Sequence, residues 1–140
     1  MTKLENGFYT ALGTPLDENG NLVSESLEKE INQQIEYGAA GLLLMGSMGI
    51  EAYLKNSTYA DVVKVAAETV DGRCPLFVGA MDNSIAKVME KVEMIGNAEI
   101  DGVVLTTPFY SVLSEKEIIN WFTIIADKSP YPVYLYARQI

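Results

Sequence analysis

The stretch richest in possible chemistry is Gly46-Ser47-Met48-Gly49-Ile50-Glu51. It follows the apolar run Leu42-Leu43-Leu44-Met45, bounded by Gly41 and Gly46. Such a run reads as a strand buried on both faces, as in a parallel sheet. The polar, glycine-bracketed hexapeptide is then the loop leaving that strand's carboxyl end. In parallel α/β folds ligands bind at that end. Gly46 and Gly49 by themselves mark only a tight turn. The loop lacks Gly-Lys-Ser/Thr, so it is not a nucleotide-binding P-loop. Other reactive side chains are few. Cys74 is the single cysteine and histidine is absent, which excludes an intrachain disulfide and argues against a cysteine-ligated zinc or iron–sulfur site. No cofactor is expected.

The elements that must position this loop follow from periodicity. Phe8 to Leu12 has strand composition and Pro15 stops it. Asp17 to Asn21 is a turn cluster, and Ser24 is the expected N-cap of a first helix with Leu27, Ile31 and Ile35 on one stripe. Gly38 ends it. Asn56-Ser57-Thr58 opens a second helix (Tyr59, Val62, Ala66 and Val70 inward), which Asp71-Gly72 closes. Pro75 to Gly79 is a third strand. Asp82-Asn83-Ser84 opens a third helix with Ile85, Val88, Val92 and Ile95 inward, closed by Gly96. Gly102 to Thr106 is a fourth strand. Ser114 and Glu117 fit a capping box for a fourth helix carrying Ile118, Trp121, Phe122 and Ile125 inward. Val133 to Tyr136 is a fifth strand. The alternation predicts one α/β domain over 1–140 with about five parallel strands and four helices. Pattern alone leaves two architectures open, a partial (β/α)8 barrel and a flavodoxin-like doubly wound sheet in strand order 2-1-3-4-5.

Composition narrows the partners. The net charge of −9 argues against nucleic acid, whose phosphates require a basic surface, and weakly against anionic membranes. No signal-peptide pattern and no bilayer-length apolar run is present, so the default expectation is a cytoplasmic protein.

Several segments, taken in order, resemble the dihydrodipicolinate synthase/N-acetylneuraminate lyase family. Ala11-Leu12-Gly13-Thr14-Pro15-Leu16-Asp17 is similar to the family's first strand and loop. Gly46 to Glu51, followed by Leu54, resembles its Gly-[Ser/Thr]-Thr-Gly-Glu signature. Pro75 to Gly79, Asp101-Gly102 with Thr107-Pro108-Phe109-Tyr110, and Pro132 to Tyr136 resemble later family segments. The resemblance implies a (β/α)8 barrel and a class I aldolase that holds pyruvate or another 2-oxo acid as a Schiff base. It implies that Tyr136 relays protons, that Ser47 is the hydroxyl residue bonded to that tyrosine, and that Tyr110 completes the relay, reaching across a subunit interface in the synthases. Ser47 and Met48 would then bind substrate. Met48 stands where a second threonine is usual, leaving its backbone N–H to serve. Ile50 replaces the usual glutamate and Glu51 comes one place later. Tyr136 read without the resemblance is a core tyrosine.

The resemblance also implies a lysine on a sixth strand as the imine-forming amine. The chain's lysines are Lys3, Lys29, Lys55, Lys64, Lys87, Lys91, Lys116 and Lys128. All fall at the terminus, in loops or on helices, and only Lys55 is near the signature loop in sequence. After Tyr136 the chain runs Ala137-Arg138-Gln139-Ile140, which departs from the family's pattern. The expectation is an N-terminal barrel fragment, catalytically silent by itself, that self-associates to cover its strand edges. A flavodoxin-like binding domain and a non-catalytic assembly module are the alternatives. The aldehyde partner is left open.

Overall fold

Strands and helices alternate along the chain as its apolar period alternates between runs and stripes. The computed structural model describes residues 4–136, so Lys3 and the segment from Ala137 to Ile140 lie outside it. The strands are β1 (Tyr9–Ala11), β2 (Gly41–Leu44), β3 (Leu76–Gly79), β4 (Gly102–Leu105) and β5 (Val133–Leu135). The helices are α1 (Ser24–Glu36), α2 (Asn56–Val70), α3 (Ile85–Ile95) and α4 (Glu115–Lys128). Each lies within a residue or two of its expected place.

Most helix ends follow from their local chemistry. Ser84 Oγ accepts the Lys87 N–H at the start of α3. Ser114 and Glu117 form the reciprocal capping box of α4. Gly38, at φ 83°, closes α1: its N–H donates to Ile35 O, and the next N–H, of Ala39, donates to Gln34 O. That pair of bonds is the Schellman arrangement. Ser24 is a correction. It is the first helical residue rather than the cap; Val23 occupies the cap position, with no side-chain cap bond. The carbonyl of Val23 accepts from Ser26 and Leu27 instead.

All five strands are parallel and lie in the order β1-β2-β3-β4-β5. A doubly wound sheet reverses direction partway; this one never does, which removes the flavodoxin-like alternative. Right-handed crossovers that all step the same way put every helix on one face. Accordingly α1 packs on α2, α2 on α3 and α3 on α4. The face toward the helices carries Leu42, Leu44, Leu76, Val78, Val103 and Leu105, each almost wholly buried. Leu27, Ile31, Val62, Ala66, Val88, Val92 and Ile125 meet them from the helices.

The opposite face is layered. By register, Tyr9 stands opposite Gly41, Phe77 opposite Leu43 and Gly102, and Tyr134 opposite Val104. The odd strands supply rings, with Tyr9–Phe77 and Phe77–Tyr134 centroids 6.1 and 4.9 Å apart, edge to face. The even strands supply glycines, because a Cβ on Gly41 or Gly102 would come within 2.5 Å of a neighbouring ring. Ala11 of β1 and Gly79 of β3 are small where they stand opposite the larger Leu43 of β2 and Val104 of β4. Side chains drawn from alternate strands, layer by layer, are how a (β/α)8 barrel fills its interior. The observed architecture is five strands of such a barrel.

Candidate functional site at the carboxyl ends of the strands

Ser47 and Met48 lie in the loop after β2, Tyr110 in the loop after β4, and Tyr136 directly after β5. All four are exposed, Tyr110 at 89% and Tyr136 at 49%. Tyr136 is kept beside β4 by its N–H, which donates to Leu105 O at 2.8 Å. The fold therefore brings the sequence-predicted residues to one end of one sheet. Among the described residues no hydrogen bond joins the hydroxyls of Ser47, Tyr110 and Tyr136.

The loop from Met45 to Glu51 is held in an uncommon shape. Met45 and Ile50 both have left-handed backbone, at φ 50° and 49°. For a β-branched residue such as Ile50 that conformation is a genuine outlier, and it persists only where the surroundings impose it. The surroundings here are specific. A Cβ on Gly79 would fall 1.9 Å from the Met45 carbonyl oxygen, so β3 must carry glycine where the loop crosses it. Thr14 Oγ1 donates to Gly49 O at 2.7 Å, tying the loop to the segment after β1.

At its far end the loop is fastened by Glu51, which sequence reasoning passed over as a shifted glutamate. The left-handed turn at Ile50 sends Glu51 inward, where it is 2% exposed. Its Oε1 is ion-paired with Lys91 Nζ of α3, and its Oε2 has no hydrogen-bond partner among the described residues. Lys91 Nζ also meets Asp82 Oδ2 at 3.0 Å and donates to Met81 O at 2.7 Å. Burial pushes the Glu51 carboxyl up to about 7; Lys91 pulls it down and Asp82 adds to the rise. Tyr59 lies close by, with its hydroxyl donating to Gly79 O at 2.9 Å. Burial, and then the charge of Glu51, push the Tyr59 phenol well above its ordinary range.

The lysine that reaches the loop is thus Lys91, whereas Lys55 is taken up by Asn19 O and Asn21 Oδ1 at 2.8 and 2.6 Å. An ammonium has three N–H groups, and those of Lys91 face two carboxylates and a carbonyl. That makes Lys91 a structural counter-ion rather than a nucleophile. Its sequence signal was its place three residues after Val88, on the border of the buried stripe of α3. Asn83 was also missed: its Oδ1 accepts both the Phe109 and the Tyr110 N–H at 2.8 Å.

Comparison with known proteins agrees with this fold. The model of the dihydrodipicolinate synthetase family matches residues 4–139, past Tyr136. The chain is 32% identical over 130 residues to the 4-hydroxy-tetrahydrodipicolinate synthase of Escherichia coli O139:H28, covering 93% of the chain and 44% of that protein. It superposes on the 4-hydroxy-tetrahydrodipicolinate synthase of Methylacidiphilum fumariolicum SolV with a TM-score of 0.88 at 30% identity, over 94% of the chain and 44% of that structure. A prophage protein of the dihydrodipicolinic acid synthase family from E. coli K12, solved in complex with pyruvate, gives 0.90 at 27% identity, over 97% and 46%. The chain therefore spans a little under half the length of the relatives it matches. Among the described residues no helix is long and apolar enough to cross a membrane.

Proposed function

The chain belongs to the dihydrodipicolinate synthetase family, and on that premise we propose that it supplies the N-terminal half of a pyruvate-handling, Schiff-base aldolase pocket without the amine. The observation that carries the reading is the gathering of Ser47, Met48, Tyr110 and Tyr136 at the carboxyl end of a sequentially ordered half-barrel. In this reading the backbone N–H groups of Ser47 and Met48 bind the carboxylate of a 2-oxo acid. Those of Ser47, Met48 and Gly49 donate to nothing among the described residues, and successive free N–H groups suit an anion. The Tyr136 phenol passes protons to the substrate's carbonyl oxygen as an amine adds to the carbon and the oxygen leaves as water. Ser47 steadies that phenol and Tyr110 extends the relay.

No lysine lies on any of the five strands; the amine comes from outside the described residues, and the chain alone forms no imine. We further propose that it works as a homo-oligomer in the cytoplasm. In the sheet β1 and β5 are each paired on one side only, and exposed edges of this kind invite pairing. The binding half of the reading has a direct test. Pyruvate added to the isotopically labelled chain should move the amide signals of Ser47, Met48 and Gly49 in a saturable way. Acetate should move them less, because it lacks the ketone. Absence of any shift at these three amides at high millimolar pyruvate contradicts the reading.

A further inference from the structure

The turn between β3 and α3 carries none of the residues assigned above to the pocket, yet both loops that do are fastened to it. On one side Lys91 Nζ bonds to Met81 O and pairs with Asp82, while the same ammonium pairs with Glu51 at the end of the Ser47 loop. On the other side the Asn83 carbonyl oxygen receives two N–H groups, from Phe109 and from Tyr110 itself. The two attachment points are neighbours in sequence and are bonded to each other, since Asp82 Oδ1 accepts the Asn83 N–H at 2.7 Å. Ser84 then caps α3, which fixes the turn to the helix that bears Lys91.

We propose that the segment Met81–Ser84 is the positioning element of this end of the sheet, with Asp82 and Asn83 coupling the Ser47–Met48 loop to the Tyr110 loop so that the two hold one relative placement. The proposal rests on the reading that these loops share a pocket, and it adds that their spacing is set from a third loop. Asn83 and Asp82 are positioning residues; they act through Lys91 and through the backbone of Phe109 and Tyr110, not on substrate.

The test is amide hydrogen exchange on the full 140-residue chain, with no ligand present, so that its outcome is separate from whether pyruvate binds. Asn83 is exposed, and its variants should fold; unchanged protection at Leu42, Val78 and Val103 verifies this. Asn83→Ala should lower protection at Phe109 and Tyr110 about tenfold, the loss of an ordinary hydrogen bond. It should also lower protection at Ile50 and Glu51 by about threefold, across the turn. Asn83→Asp keeps an acceptor oxygen in place and should return both sets to near their original values, which a general loosening of the surface would not do. If Asn83→Ala frees Phe109 and Tyr110 but leaves Ile50 and Glu51 unchanged, the loops are independent and the proposal is wrong. It is equally wrong if Asn83→Ala changes neither.

Discussion

Lys91→Met should cost about 3–5 kcal/mol of folding stability at about pH 9, where Glu51 is ionised in the folded chain, the range seen when one partner of a buried ion pair is removed. The reason is local. The Glu51 side chain is fully buried and Lys91 only 12% exposed, so water cannot replace the lost ammonium. Asp82 would then face Glu51 with no cation between them. Methionine fills much of the volume of the lysine stem, which separates the loss of charge from the loss of packing. Denaturant unfolding of the two proteins at about pH 9, above the folded-state pKa of Glu51, measures the difference. The cost should shrink toward pH 5, where Glu51 can take up a proton in place of its partner. A difference below about 1 kcal/mol at about pH 9, as exposed ion pairs give, would show that the cluster is not closed to solvent.

The same carboxylate predicts an unusual pH dependence. Glu51 has a folded-state pKa of about 7 against an ordinary 4.5, chiefly because it is buried. Between these values the folded chain holds a proton that the unfolded chain has released. Stability from this group is therefore complete below about pH 4.5, falls as pH rises toward 7, and is level above that. The full drop is on the order of 3 kcal/mol, at about 1.4 kcal/mol per pH unit. Burial also opposes ionisation of Asp82, but the Asn83 N–H and Lys91 outweigh it and hold that carboxyl below its ordinary range. Asp82 is thus ionised in both states across most of the window and adds little slope. Glu51→Gln keeps the shape and removes the titration, so unfolding free energies of the variant should lie nearly flat from pH 5 to 7 where those of the parent decline. Parallel declines in both proteins would move the titrating group elsewhere.

Much of the architecture was legible because it is written in local signals. The apolar runs bounded by glycine, and stripes such as Val62, Ala66 and Val70, specify strand and helix without tertiary information. The capping box at Ser114 and Glu117 is a neighbour effect of the same kind. Ser24 misled because hydroxyl capping is only one way to satisfy the first N–H groups, and the Val23 carbonyl takes two of them here. The choice between barrel and doubly wound sheet could not be read from period, since both use the same β-α-β unit; the family resemblance favoured the barrel and the strand order decided it. At the candidate site, the assignment of Ser47, Tyr110 and Tyr136 rests on resemblance to matching segments. The Glu51–Lys91–Asp82 cluster and the Asn83 bridge were not. Their partners come from loops and helices far apart in sequence, and their pairing exists only once the sheet has set its register. The inward turn of Glu51 depends on left-handed backbone at Ile50, which the residue type argues against.

In the proposed function this half-barrel carries the carboxylate-binding and proton-relaying side of an imine-forming pocket, and the amine lies outside it. Incubation with pyruvate and borohydride, followed by intact mass measurement, tests this most directly, because borohydride reduces any imine to a stable secondary amine. The expected result is no added mass on this chain alone, with or without pyruvate. A pyruvate-dependent adduct, mapped to Lys91, Lys55 or any other lysine of the chain, would contradict it.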